Sequence, residues 1–127
     1  MRQNILQKIP PAELKVMNFI WGENNEVTSK EVIKAMENEY GWKQTTTLTL
    51  ISRLVKRKFL SAEKIDKYTH YKIIVGNKEY INFETKNFMS NMHNNSLESL
   101  LTSLCENESL DKEKFESLME IANNLDK

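Results

Sequence analysis

Residues 45–58 read TTTLTLISRLVKRK, and the segment has the two-sided pattern of an amphipathic helix. One side is apolar at spacings of three and four, which predicts a buried face. Its members are Thr47, Leu50, Ile51, Leu54 and Val55. The other side carries hydroxyl and cationic groups: Thr46, Thr49, Arg53, Lys56 and Arg57. Such a face is unusual on a helix, and it is either an ordinary solvent face or a surface that contacts a ligand.

The periodicity changes after this helix from helical to alternating. Apolar residues alternate from Tyr71 to Val75, and Asp66-Lys67 supplies turn chemistry before them. This pattern predicts a β-hairpin over residues 59–75.

Two further helices are predicted before the segment. The first opens at Pro10 and Pro11, because proline is tolerated in a first helical turn, and it ends near Gly22. Residues 1–8 precede it and are predicted to be frayed. The second begins at Thr28 with a capping box and ends at Gly41. Three helices followed by a hairpin are the outline of a winged helix-turn-helix.

Residues 77–127 are predicted to form three more amphipathic helices. Ser96 and Asp111 are placed to cap two of them, and Leu110 and Phe115 are spaced as a hydrophobic staple. About fifty residues cannot bury such apolar stripes alone, so we expect a second copy of the chain to cover them. The residues predicted to form this dimer interface are Leu97, Leu100, Leu101, Leu104, Phe115 and Leu118.

The predicted fold class is mainly α with a small β-hairpin. We expect two domains: an N-terminal winged helix-turn-helix domain at residues 1–76 and a C-terminal three-helix dimerisation domain at residues 77–127.

The charge of the chain is divided unevenly along its length. Residues 1–76 carry 13 Lys and Arg against 8 Asp and Glu, whereas residues 77–127 carry 5 against 10. The bases concentrate in residues 43–72, which contain 8 Lys and Arg but only 2 Asp and Glu. A basic patch on a neutral chain indicates a polyanionic partner, with a solvated face as the alternative.

The composition excludes several functional classes. The only cysteine, Cys105, rules out an internal disulfide framework and a multi-cysteine metal site, and it fits a reducing cytosol. The chain has only three glycines, which argues against a Gly-rich phosphate loop. It also has no apolar run near the ~20 residues that span a bilayer. We therefore expect a cytoplasmic protein without cofactor, metal or stable membrane insertion, and no enzyme.

Residues 9–21, IPPAELKVMNFIW, resemble the opening of the penicillinase-repressor family, the BlaI/MecI/CopY type. The other positions that carry the likeness are Trp42, Thr46, residues 49–54 (TLISRL), Tyr71, Lys86-Asn87-Phe88 and residues 106–110. The resemblance covers essentially the whole chain and is more specific in its N-terminal half.

The resemblance implies a homodimeric repressor that binds a palindromic operator in double-stranded DNA. Members of the family control β-lactamase or penicillin-binding-protein genes. The β-lactam types are inactivated when a membrane sensor-protease responds to antibiotic and the repressor is cleaved in its dimerisation domain. The copper types carry a C-terminal cluster of four cysteines, which this chain lacks, so the β-lactam branch is favoured.

The resemblance implies that Thr46, Thr49 and Arg53, which match positions on the family's recognition helix, contact DNA. The full set of residues expected to contact DNA is Thr45, Thr46, Thr49, Arg53, Lys56, Arg57, Lys64 and Lys67. An arginine fork suits guanine or phosphate, and a threonine bonds phosphate or touches a thymine methyl group. The lysines and Arg57 are expected to neutralise phosphates, which supplies position rather than sequence reading.

The chain departs from the family pattern in two places. Many β-lactam-type relatives have a basic residue at the position of Thr45 and an arginine at that of Leu48, so we expect a different operator sequence or affinity. Staphylococcal-type relatives are cut between an asparagine and a phenylalanine on helix five, and the ungapped match places this bond at Ser103-Leu104. Because that dipeptide is not kept, either the protease has another specificity or relief of repression works differently.

Two alternatives remain open from the sequence. A winged-helix regulator switched by a small ligand would respond to that ligand without a protease. A winged-helix protein–protein module would have negligible affinity for DNA even at low salt.

Overall fold

The computed structural model describes residues 6–23, 26–107 and 111–125. These residues form six helices and one three-stranded sheet. The bounds are α1 Pro11–Gly22, β1 Val27–Thr28, α2 Ser29–Tyr40, α3 Gln44–Lys56, β2 Leu60–Ile65, β3 Tyr68–Ile73, α4 Asn77–Met92, α5 Leu97–Glu106 and α6 Lys112–Leu125. The predicted fold class, mainly helical with a small β-hairpin, is confirmed.

The sheet contains one strand that the sequence pattern did not predict. β1 has only two residues, which is too short for alternation to show, and it pairs antiparallel with β3 through Val27 and Tyr71. The strand order is therefore β1-β3-β2. The predicted hairpin turn at Asp66-Lys67 is confirmed, and Asp66 takes a left-handed φ of 58°, which its short polar side chain tolerates.

The start and end of α2 follow from local sequence. The Thr28 backbone N–H donates to Glu31 Oε1 at 2.9 Å, and the Glu31 N–H donates to Thr28 Oγ1 at 3.3 Å, which completes the predicted capping box. Gly41 ends the helix at φ 70°, a left-handed conformation that glycine adopts without a steric cost. Because Gly41 stops α2, only a short turn separates it from α3.

The turn from α3 into the sheet is fixed by a Schellman motif. The N–H of Phe59 donates to the carbonyl of Leu54 at 3.0 Å, and the N–H of Lys58 donates to that of Val55 at 3.0 Å. Lys58 has a φ of 68° at the position where glycine is usual. Phe59 and Leu54 are both buried, and their burial holds the chain in this conformation.

The core lies between the first three helices and the sheet. Trp21 belongs to its edge, because its indole Nε1 donates to the Val75 carbonyl at 3.0 Å. A fully buried Leu, Ile, Val, Phe or Met contributes about 1.5–3 kcal/mol relative to an exposed one. The fully buried aliphatic and aromatic members include Val16, Met17, Ile20, Val32, Met36, Ile51, Leu54, Phe59 and Leu60.

The chain divides into two compact units, Met1–Ile81 and Asn82–Lys127. Tyr80, which the sequence assigned to the second domain, packs in the first unit. Its ring lies 5.5 Å from that of Phe59 and 5.7 Å from that of Trp21, and its hydroxyl accepts the Ile9 N–H at 3.0 Å. The predicted domain boundary between residues 76 and 77 stays a prediction.

In the second unit α5 packs against α6. Both predicted caps form: Ser96 Oγ accepts the Ser99 N–H at 3.1 Å, and Asp111 Oδ1 accepts the Lys114 N–H at 2.8 Å. Leu110, the first half of the predicted hydrophobic staple, lies outside the described residues. Within the described ranges, no helix combines the length and the apolar character needed to cross a membrane.

Thr47 provides a stability prediction, because its hydroxyl is buried on α3 and finds no hydrogen-bond partner in the part of the chain that is described. Thr47→Val keeps the shape and removes the unpaired hydroxyl, so it should raise the free energy of unfolding by about 1 kcal/mol. Urea denaturation measures this. The exposed neighbour offers a control, since Thr46→Val should change the same free energy by less than about 0.5 kcal/mol. A loss of stability in Thr47→Val would contradict the unpaired-hydroxyl interpretation.

Candidate nucleic-acid interface

The outward side of α3 forms an open groove that we call the threonine groove. Its volume is about 280 Å³, and its lining residues are Thr45, Thr46, Thr49, Leu50 and Arg53. The three threonines and Arg53 are exposed, and Leu50 is buried where it lines the groove. Thr47, Ile51 and Leu54 are buried on the rest of the apolar side of the helix. The buried side fixes the rotation of α3, so the groove is held facing solvent.

The hydrogen-bonding capacity within the threonine groove is uneven. Thr49 Oγ1 donates to the backbone carbonyl of Thr45 at 2.9 Å, so its proton is occupied and the oxygen is left as an acceptor. Thr46 and Arg53 are seven residues apart and therefore lie on the same side of the helix, two turns from each other. Arg53 offers the fork of donors, and the threonines offer hydroxyl oxygens and methyl groups.

The residues that follow Arg53 form a second depression, which we call the basic pocket. It has a volume of about 430 Å³ and is lined by Gln7, Arg53, Lys56 and Arg57. Arg53 thus lines both surfaces. The structure brings three of the sequence-predicted cations together here, and it adds Gln7, which the sequence analysis had placed in a frayed segment.

Arg57 makes an ion pair with a buried carboxylate of α1. Its Nε donates to Glu13 Oε1 at 2.8 Å, its Nη2 to Glu13 Oε2 at 3.5 Å, and its Nη1 to Gln7 Oε1 at 2.7 Å. Glu13 is only 1% exposed, whereas the Arg57 side chain is 29% exposed. Three of the five guanidinium N–H groups are therefore occupied within the protein. A phosphate contact by Arg57 stays a prediction, and the structure assigns it a different bond.

The hairpin carries the other predicted cations. Lys64 lies on β2 and Lys67 in the turn, and both are exposed. Tyr71, at the position of the family's wing tyrosine, is buried, and this burial raises the pKa of its phenol. Tyr71 therefore supports the wing from inside.

Glu26, the residue before β1, lies close to two side chains of β3 at the base of the wing. His70 Nδ1 lies 3.2 Å from Glu26 Oε1, and Lys72 Nζ lies 3.9 Å from Glu26 Oε2. His70 and Lys72 both lie on β3, the strand that pairs with β1. The ends of the wing near β1 are thus held, while its turn with Lys67 projects into solvent.

An aromatic stack marks the turn between α2 and α3. The rings of Tyr40 and Trp42 stack at a centroid distance of 5.0 Å, and Lys15 Nζ lies 4.8 Å from the centre of the Tyr40 ring. A cation over an aromatic face is attracted by the ring quadrupole. Through Lys15, the stack links α1 to the turn between α2 and α3.

The second unit holds the residues predicted for dimerisation and cleavage. Leu101 is buried within a single chain, whereas its neighbours on the stripe, Leu97, Leu100, Leu104, Phe115 and Leu118, are partly exposed. The more exposed large apolar side chains described in this unit are Phe88, Met92 and Ile121, and none of them is among the predicted interface residues. A spacing rule finds the centre of a stripe better than its solvent edge.

The predicted cleavage bond, Ser103-Leu104, lies inside α5, and both side chains are partly exposed. Its carbonyl and amide groups belong to a helix in this structure. Among the described residues, no group of three or more His, Cys, Asp or Glu side chains is close enough to hold a metal ion.

Comparison with known proteins gives consistent results. The sequence model described as penicillinase repressor matches residues 9–124. The chain is also similar to the solution structure of the DNA binding domain of the repressor BlaI, with a TM-score of 0.53 and 30% identity. That likeness covers 57% of this chain and 88% of the BlaI chain.

Full-length relatives match over most of both chains. The penicillinase repressor of Bacillus licheniformis is 29% identical over 119 residues, which cover 91% of this chain and 92% of the relative. The methicillin resistance regulatory protein MecI of Mammaliicoccus sciuri is 29% identical over 120 residues, which cover 94% of this chain and 97% of the relative. The penicillinase repressor of Staphylococcus aureus is 27% identical over 120 residues.

The ion pair between Arg57 and Glu13 gives a prediction on stability. Arg57→Ala leaves the buried Glu13 carboxylate without its cation and should lower the free energy of unfolding by about 3 kcal/mol. Lys56→Ala is the matched control: it removes a neighbouring exposed cation and should change the same quantity by less than about 0.5 kcal/mol. Urea denaturation at neutral pH measures both. Equal losses in the two variants would show that the ion pair does not hold α1 to α3.

Proposed function

The chain belongs to the penicillinase repressor family and is a transcriptional repressor of the BlaI/MecI type, and from this we propose that it binds a palindromic operator as a homodimer. One observation carries the proposal above all. The exposed side of α3 presents threonines and Arg53 in an open groove, and the buried side of the same helix fixes its orientation. A protein that blocks a promoter in this way performs no reaction.

We assign the reading of bases to α3. The major groove of DNA is about 12 Å wide and admits one helix. In that groove Arg53 can donate two hydrogen bonds to O6 and N7 of a guanine, while Thr46 and Thr49 offer methyl groups to thymine or bond phosphates. Thr45 lies in the same groove and supplies a hydroxyl where many relatives have a cation. The operator therefore differs from theirs in our proposal.

We assign the positioning of the duplex to lysines. Lys56 is exposed at the end of α3, and Lys64 and Lys67 are exposed on the hairpin. Phosphate contacts of this kind fix register and add affinity for any sequence. All three lysines belong to the basic stretch at residues 43–72, which has 8 bases and 2 acids.

We propose that the second unit joins two copies. Its partly exposed leucines, together with Phe88, Met92 and Ile121, leave apolar surface on a single chain. A second copy of the same surface covers it in a two-fold arrangement. Two reading helices held in one dimer bind two half-sites with a raised effective concentration, so repression depends on the integrity of the interface.

The proposed regulation follows from that dependence. The names of the relatives, penicillinase repressor and methicillin resistance regulatory protein, support control of β-lactam resistance genes. We propose that cleavage at or near Ser103-Leu104 by a membrane sensor-protease separates the two copies. Because this bond lies inside α5, the helix must open locally before a protease can reach it.

Base reading by Arg53 can be tested on an operator obtained by selection from random duplexes. Arg53→Ala should weaken binding to the selected duplex by about 1–3 kcal/mol and weaken binding to random duplex less. Lys56→Ala should weaken both alike, because a phosphate contact carries no sequence information. Fluorescence anisotropy at fixed salt measures the four affinities. Equal losses on both duplexes for Arg53→Ala would assign base reading to another residue.

Leu48→Arg extends the test to one of the departures from the family. It restores a donor that many relatives have on this helix, so it should strengthen binding to operators of their type while leaving binding to random duplex less affected. Anisotropy titration with a relative's operator measures this. An unchanged affinity for that operator would remove Leu48 from the set of specificity positions.

The dimer can be tested on the whole chain by sedimentation velocity. The wild-type chain should sediment with twice the mass of one chain. The double variant Met92→Lys with Ile121→Lys places charges on the exposed apolar surface, where Met92 is 71% exposed, and it should sediment as a monomer. The control Asn91→Lys with Asn124→Lys adds the same charge at exposed polar neighbours and should remain a dimer. A wild-type monomer at micromolar concentration would contradict the proposed dimer.

A further inference from the structure

The basic pocket contains two residues to which the proposed function gives no role, Gln7 and Arg57. Its lining combines three cations with one neutral amide: Arg53, Lys56, Arg57 and Gln7. Its volume of about 430 Å³ holds a phosphate group with hydration water, since a water molecule occupies about 30 Å³ of liquid. The pocket adjoins the threonine groove through the shared residue Arg53.

The N-terminal segment is fixed next to this pocket. Ile9 is buried, and its backbone N–H donates to the Tyr80 hydroxyl at 3.0 Å. Two residues earlier, Gln7 Oε1 accepts the hydrogen bond from Arg57 Nη1 at 2.7 Å. The oxygen of this amide is thus occupied by the guanidinium, which orients the side chain. The nitrogen of the same amide carries two N–H donors.

The charges in the pocket do not cancel. Glu13 neutralises one of the three cations through its ion pair with Arg57, which leaves a charge of +2 on Arg53 and Lys56. Because the Glu13 carboxylate is buried and held by two guanidinium nitrogens, the Arg57 side chain is already ordered. A ligand that enters the pocket therefore loses little conformational entropy in ordering the Arg57 side chain.

We propose that the basic pocket binds one phosphodiester group of the DNA backbone, with Gln7 and Lys56 as contacting side chains and Arg57 as a positioning residue. This proposal rests on the proposed function and adds the N-terminal segment to the DNA-binding surface. Arg57 acts through Gln7: its guanidinium orients the amide oxygen, so that the amide nitrogen faces the phosphate. A phosphate held in the pocket also fixes where Arg53 stands against the base edges, since Arg53 lines both surfaces.

The test uses the full chain, a duplex of random sequence and the selected operator, with affinities from fluorescence anisotropy at low salt. Gln7→Ala should weaken binding to both duplexes by roughly tenfold, as expected for one lost hydrogen bond to a charged group. Gln7→Glu should weaken both further, because it brings a negative charge to the phosphate. Asn18→Asp, at an exposed position of α1, adds a comparable charge and should change both affinities by less than about twofold.

A double-mutant cycle tests the positioning role of Arg57. Arg57→Lys keeps the charge but loses the fork that holds both Glu13 and Gln7. If Arg57 orients Gln7, then Gln7→Ala should have little further effect on DNA affinity in an Arg57→Lys background. Additive losses would show that Arg57 does not act through Gln7. Circular dichroism confirms that each variant is folded at the titration temperature.

The remaining outcomes separate this proposal from the one on which it rests. A wild-type chain that binds neither duplex at low salt would overturn both. Wild-type binding to DNA with unchanged affinity in Gln7→Ala would overturn the phosphate site and leave the proposed function in place. A loss confined to the selected operator would assign Gln7 to base reading and would also overturn the phosphate site.

Discussion

A carboxylate removed from water must be held by a cation, and the arrangement of the first unit depends on one such pair. Glu13 of α1 is buried, and the guanidinium of Arg57 at the end of α3 holds it at 2.8 Å. An unpaired carboxylate at this depth costs several kcal/mol, so α1 and the end of α3 cannot separate cheaply. The same guanidinium binds Gln7 and so fixes the N-terminal segment beside them. One ion pair thereby sets the positions of three chain segments around the basic pocket.

The proposed reading face follows from that constraint. The buried apolar side of α3 fixes the orientation of the helix. Arg57 holds the end of α3, and the Schellman turn at Lys58 fixes the chain that follows it. What remains free to act on a ligand is the threonine groove, the exposed Lys56 and the hairpin turn. In our account the rigid side of the helix supplies orientation and the exposed side supplies specificity.

Much of the fold could be predicted because its determinants are local. The capping box of Thr28, the left-handed Gly41 and the hairpin turn at Asp66 each depend on residues within four positions of one another. β1 could not be predicted, because two residues show no periodicity. The partner of Arg57 could not be predicted either. Glu13 lies 44 positions away, and a basic residue at a helix end has the same pattern whether it meets a phosphate or a carboxylate. Gln7 was missed for the same reason, since a lone amide before the first helix gives no signal.

The dependence of DNA affinity on salt tests the central claim, that the basic stretch around α3 is the DNA-binding face. Each neutralised phosphate releases condensed counterions, so the slope of log affinity against log salt counts the phosphates contacted. Anisotropy titrations of the full chain with a duplex between low and physiological salt measure this slope. If about six phosphates are neutralised per dimer, the slope is about −5. A slope near zero would contradict the account.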